Sequence, residues 1–227
     1  MSDEVRAGTY TYYDGFNFYY RLFKNRRRTH KLPANLKWLD LLKLSQSLAP
    51  GQTVDWVGYF TAFVRQNPLD PDQHVRQRAY IEALRTIPCL EIVEGKFQPT
   101  TKRGIPVGCA ICGASAVSPI EFNTFEEKGS DVNLAARLVR DAALGKFSAA
   151  LVISNDSDLA EAIRIATDDF GRVVHVLSPD INVNNSLTKV ASSAKPLDVK
   201  LLKRCQFPPT LRNAAGIVIS RPVAWSR

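Results

Sequence analysis

Histidine and cysteine are both scarce in this chain, with three and four in 227 residues. Three histidines leave little material for an iron site of two histidines and one carboxylate, and no such spacing occurs. Four cysteines are too few for a disulfide scaffold at this length, so they read as thiols of a reducing compartment or as metal ligands. No stretch reaches the roughly 18 consecutive apolar residues of a membrane span, and Met1 to Arg6 lacks the apolar run of a signal peptide. The expected location is the cytoplasm, without membrane contact. There is no internal repeat, no low-complexity block, and no Gly-x-Gly-x-x-Gly fingerprint after the first expected strand.

What is present suits a compact enzyme-sized unit. Hydrophobic residues make up 45% and charged residues 23%, ordinary globular usage with enough apolar surface to bury a core. The length favours one α/β domain with decorations. Thirty Lys and Arg against 22 Asp and Glu give a net charge of +8. Such a balance attracts polyanions, because neutralised phosphates release condensed counterions. RNA is the expected partner and DNA is admitted. A merely soluble basic protein would carry the same charge.

Thr9 to Tyr13 is aromatic and β-branched and runs into Asp14-Gly15, the pattern of a strand that ends on a carboxylate. Further strands are expected at Val54 to Val64, Cys89 to Val93, Phe147 to Ile153 and Val173 to Leu177. Helical spacing occupies Asn35 to Leu48, the stretch from Asp70-Pro71-Asp72 to Arg85, Asp131 to Leu144, Leu159 to Phe170 and Asn184 to Ala191. This alternation implies a doubly wound, mostly parallel sheet with helices on both faces. The domain is expected over residues 1–195, with an irregular Gly- and Pro-rich excursion at about 94–124. Residues 196–227 form a basic tail packed on the domain or extending from it.

Four carboxylates fall at ends of expected core elements: Asp14, Asp131, Asp156 and Asp158. One sheet edge can gather them, because ligands of open parallel sheets bind outside the carboxyl ends of the strands. Clustered carboxylates repel without a cation, and oxygen-only ligands select hard ions such as Mg2+ or Mn2+. Taken singly, each has a local explanation: Asp14-Gly15 as a turn, Asp131 as a helix cap, Asp158 on a helix dipole.

Three segments in order, Tyr13-Asp14-Gly15-Phe16-Asn17, Glu126 to Leu134 (EEKGSDVNL) and Ile153 to Leu159 (ISNDSDL), resemble the successive motifs of NYN domains, PIN-like predicted ribonucleases. The match runs from about Gly8 to Leu177. The resemblance implies a PIN-like α/β/α sandwich and a metal-dependent ribonuclease, with Asp14, Asp131, Asp156 and Asp158 holding Mg2+ or Mn2+. It sets Asn17 and Ser154 beside them, and Glu127 as a ligand or base. Water activated on the ion would hydrolyse a phosphodiester. Asn155 stands where the family motif usually has Gly, which puts the shape of that turn in question.

Arg26, Arg27, Arg28, Lys31, Lys102, Arg103 and Lys128 are candidate phosphate contacts or simply solvated cations. Tyr12, Tyr13, Tyr19 and Tyr20 are base-stacking candidates whose commoner fate is the core. Cys109-Ala-Ile-Cys112 has the spacing of half a zinc knuckle, to be completed by Cys89, Cys205, His30, His74 or a partner chain, with free thiols as the alternative. Two rival readings stand beside the nuclease: a non-hydrolytic RNA-binding module of the same fold, and, ranked last, a metal-dependent enzyme of small-molecule metabolism.

Overall fold

A computed structural model describes residues 8–24, 32–66, 70–105 and 118–226. Six parallel strands form the central sheet: β1 (Thr9–Asp14), β2 (Val54–Thr61), β3 (Leu90–Glu94), and, after the hairpin β4 (Lys96–Gly104) and β5 (Ile120–Lys128), β6 (Ala149–Ile153), β7 (Val173–Ser178) and β8 (Ser193–Pro196). Their order is β3-β2-β1-β6-β7-β8, so the winding reverses between β1 and β6. With the hairpin left out, this is the doubly wound order whose ligand crevice opens where the winding reverses.

Both faces of the sheet are buried, and the side-chain period of two divides them. Tyr13, Leu151 and Ile153 join one core, against Leu41 and Leu44 of α2 (Leu41–Leu48) and Ile81 and Leu84 of α3 (Gln73–Leu84). Tyr12, Ala150 and Val152 join the other, against Leu134 and Leu138 of α4 (Ser130–Ala143), Ile163 of α5 (Ala160–Arg164) and Leu187 of α6 (Asn185–Val190). A strand covered on both sides has no polar face to show, which is why Ala149 to Ile153 is a continuous apolar run. The short helix α1 (Gly15–Tyr19) follows β1 directly and continues as a wider π turn through Lys24.

Two segments depart from their expected form. Asn35 to Leu48 is a short 3₁₀ turn followed by α2, because Asp40 accepts the Lys43 N–H and starts a new helix there. Of the excursion expected to be irregular, residues 96–104 and 120–128 form an antiparallel ladder with nine residue pairs. Pro and Gly at its ends and threonines within it suit an edge hairpin that sequence periodicity does not reveal.

Residues 197–226 close the first core. Leu202 of α7 (Val199–Arg204), Phe207, Ile219 of the small hairpin β9 (Thr210–Arg212) and β10 (Val218–Ser220), and Trp225 are all buried in it. The Trp38 indole donates to the Pro208 carbonyl at 2.8 Å, fastening this segment to the turn before α2. No helix among the described residues is long and apolar enough to cross a membrane.

Leu202 is fully buried. Leu202→Ala is therefore expected to lower unfolding stability by about 2–5 kcal/mol, measured by urea titration, whereas a detached tail would give a change near zero.

Candidate active site at the sheet reversal

Asp14 ends β1 and caps α1. Its Oδ1 accepts the Asn17 N–H at 2.9 Å and its Oδ2 accepts the Ser154 hydroxyl at 2.8 Å, across the gap between β1 and β6. The residue is 2% exposed. Burial pushes its carboxyl up to about 7; the Asn17 and Ser154 hydrogen bonds oppose the rise, and the charges of Asp131 and Asp156 add to it. A carboxyl poised there exchanges a proton readily at neutral pH.

The next links come from the loop after β6. The Ser154 hydroxyl oxygen also accepts the Asp156 N–H, and Asn17 Oδ1 accepts the Asn155 N–H, both at 3.0 Å. The Asn155 side chain donates to the Asn182 carbonyl and accepts the Asn184 N–H at 2.7 Å, joining this loop to the start of α6. Among the described residues no non-glycine residue has a positive φ. The turn therefore needs no glycine at 155, and the amide is used as a brace instead.

Asp156 Oδ1 accepts the Asp158 N–H at 3.0 Å and caps the 3₁₀ turn Ser157–Leu159, leaving Asp158 exposed. Asp131 lies half-buried in the first turn of α4, with its carboxyl raised by burial and by the charges of Asp156, Glu127 and Asp158. Glu127 Oε1 accepts the Ser130 N–H at the start of that helix. The fold thus brings Asp14, Asn17, Glu127, Asp131, Ser154, Asp156 and Asp158 to one acidic edge.

The basic residues go elsewhere. Lys102 and Lys128 both pair with Glu126 on the β4/β5 hairpin, and Arg103 is exposed on the same hairpin. Arg26, Arg27, Arg28, Lys31, Cys109 and Cys112 lie outside the described residues. Tyr12 and Tyr13 are core residues.

Beside the acidic edge is a cavity that the sequence did not announce. Phe16, Tyr19, Tyr59, Arg76, Trp225 and Lys37 are among its walls, and Gly15 separates it from Asp14. A Cβ on Gly15 would lie 2.7 Å from the Phe60 carbonyl oxygen and 2.9 Å from Tyr59 Cζ, so only glycine lets α1 start this close to β2. The aromatic run Phe16 to Phe23 was a visible signal, but its periodicity is equally that of core. Lys37 carried none, because its ammonium reaches the cavity only through the tertiary fold.

The chain is similar to a monooxygenase. It is 28% identical to 6-hydroxy-3-succinoylpyridine 3-monooxygenase HspA of Pseudomonas putida, over an alignment of 257 positions that covers 98% of this chain and 77% of the relative. A crystal structure of a protein of unknown function from Vibrio parahaemolyticus shares the fold, with a TM-score of 0.52 and 16% identity over 88% of this chain and 98% of that one. No known family profile matches the chain.

These findings overturn the metal-dependent ribonuclease expected from the motifs. The relative is an enzyme, but its name describes oxygenation of a small pyridine, which favours the reading ranked last from sequence, small-molecule metabolism. The Mg2+ or Mn2+ expectation falls with it. Both Asp14 oxygens and one Asp156 oxygen are taken by internal donors. Among the described residues no three His, Cys, Asp or Glu side chains are arranged to hold a metal ion. Of the ligands suggested to complete a structural zinc site with Cys109 and Cys112, Cys89 is partly buried and Cys205 is buried with its Sγ 3.5 Å from the Ser47 hydroxyl.

Because the folded Asp14 carboxyl titrates near 7 and an unfolded one near 4, the native state holds the extra proton between those values. Its contribution to stability is greatest below pH 4 and is lost as pH rises through 7. Asp14→Asn, which keeps an acceptor for Asn17, should therefore raise the melting temperature more at pH 8 than at pH 5. An equal shift at both values would show that the carboxyl is not raised.

Proposed function

We propose that this chain is a monooxygenase-type enzyme acting on a small hydroxylated N-heteroaromatic compound, with Asp14 as the group that takes up a substrate proton. Similarity to the pyridine monooxygenase along nearly the whole chain carries this reading. The acidic edge supports it, since a carboxyl titrating near 7 is matched to proton transfer at neutral pH.

The chemistry asks for such a group. Removing the proton of a ring hydroxyl sends electron density to the para carbon, where an oxygen electrophile adds. In the substrate named for the relative, carbon 3 is para to the hydroxyl on carbon 6. The succinoyl group already on that carbon must then leave, its carbonyl carbon captured by water as a carboxylic acid. One oxygen atom of O2 stays on the ring as a hydroxyl and the other leaves as water, with two electrons from a reductant such as a reduced nicotinamide. Ser154 holds the Asp14 carboxyl in place through its hydroxyl, and the Asn17–Asn155–Asn184 braces keep the loops that carry both residues from separating.

A flavin is a common partner of such reactions, and its phosphate needs unoccupied N–H donors. At this edge the Asn17 N–H of α1 already serves Asp14, and Asp131, Asp156 and Asp158 add negative charge. These residues do not fit a nucleotide phosphate. The NYN resemblance we take as a proposal about shared scaffold motifs at the sheet edge, separate from the reaction.

Purified protein is to be given 6-hydroxy-3-succinoylpyridine, reduced nicotinamide and air, with and without added flavin. Oxygen uptake coupled to nicotinamide oxidation, with label from 18O2 in the product, is expected. Asp14→Asn should lower kcat by roughly 10²–10⁴-fold. Absence of labelled product under every supplement would refute the reading.

A further inference from the structure

Lys37 ends the 3₁₀ turn Ala34–Lys37 and reaches into the cavity, where its Nζ lies 5.4, 5.6 and 5.9 Å from the ring centroids of Tyr19, Phe23 and Trp225. Nζ also donates to the Tyr19 hydroxyl at 3.4 Å. The described carboxylate whose field reaches it, Asp70, is bound to Arg76. Burial, Lys24 and Arg76 work against its charge and Asp70 opposes them, and among the described residues no carboxylate is paired with Lys37 itself. Placing a cation among rings beside two further cations is costly unless something negative completes it.

The remaining walls describe what that anion is attached to. Phe16 stacks on Tyr20 at 6.3 Å, and Tyr59 meets Tyr80 edge-on at 6.2 Å, giving flat, rigid aromatic surfaces. The inner space for atom centres is about 70 Å3. At the roughly 10–15 Å3 that one water-sized group occupies, this holds about five to seven such groups, the size of a single six-membered ring, and it is too small for a dinucleotide. Charge sets the direction of entry. The acidic edge around Asp14 and Asp131 repels a carboxylate, while Lys37 and Lys24 attract one, and Gly15 lies between the two regions as part of the cavity wall.

We propose that the cavity between α1, β2 and α3 binds a small aromatic acid, its ring among Phe16, Tyr19 and Trp225 and its carboxylate on Lys37. The inference rests on the small-molecule reading above and adds the substrate class and the residue that selects it. Lys37 acts through its charge, which neither a neutral ring nor a ring-free acid can use fully.

The test measures binding by calorimetry and by tryptophan fluorescence, separately from turnover. The probes are 6-hydroxy-3-succinoylpyridine, its methyl ester, and succinate. The acid is expected to bind roughly tenfold or more tightly than the ester, and succinate not measurably. Lys37→Gln should weaken acid binding by a similar factor and leave ester binding unchanged, while Lys37→Arg should keep most of the preference. Equal affinity of wild-type protein for acid and ester overturns the inference without any variant, as does acid binding indifferent to Lys37→Gln in a folded protein. Labelled product formed with no dependence on Lys37 removes this inference and keeps the oxygenase. Lys37-dependent acid binding without oxygen uptake removes the oxygenase and keeps the binding site.

Discussion

The contact between Asp14 and Ser154 spans the one gap in the sheet where neighbouring strands come from opposite windings. On one side of it the chain runs outward from β1 through β2 to β3, and on the other from β6 through β7 to β8. The loops after β1 and β6 must therefore diverge, and divergence opens a crevice. Three polar side chains keep it from collapsing or gaping: Asp14 on Ser154, Asn17 on Asn155, and Asn155 on Asn184. Each bridges elements far apart in sequence, so loss of one would loosen the edge rather than a single turn.

Holding the crevice this way has an electrostatic consequence. Asp14 is nearly inaccessible, and other carboxylates lie close enough to raise its proton affinity. The hydrogen bonds that position it also stabilise its charged form, leaving the balance near neutrality instead of fully protonated. An acidic cluster built as a metal cage would present free oxygens inward, whereas here the oxygens are used to cap α1, to meet Ser154 and to cap the turn after β6. Asp14 and Asp156 thus use carboxylate oxygens to brace the loops at the strand ends.

Much of the fold could be read from residues. The apolar run of β6 and the aromatic alternation of β1 each reflect a local rule: burial on two faces, or period-two packing. The hairpin β4/β5 escaped because an edge ladder leaves little hydrophobic periodicity. The break before α2 escaped because Asp40 as a cap looks like any polar residue inside a helical pattern. At the site, Asp14, Asp131, Asp156 and Asp158 were legible as strand-end or helix-start carboxylates, and Asn17, Ser154 and Glu127 through the motif resemblance. Lys37 with its ring of aromatics was not.

Sequence alone determined the alternation of strands and helices, the apolar runs of the core and the identity of the acids at the strand ends, since these depend on neighbours a few residues away. Tertiary structure decided which of those acids have spent their lone pairs, how far burial moves a proton, and that a lysine and a tryptophan 188 positions apart share one cavity. Charge, burial and hydrogen-bond satisfaction are properties of what surrounds a side chain, and the surroundings of Asp14 and Lys37 come from segments that meet only when the sheet is wound.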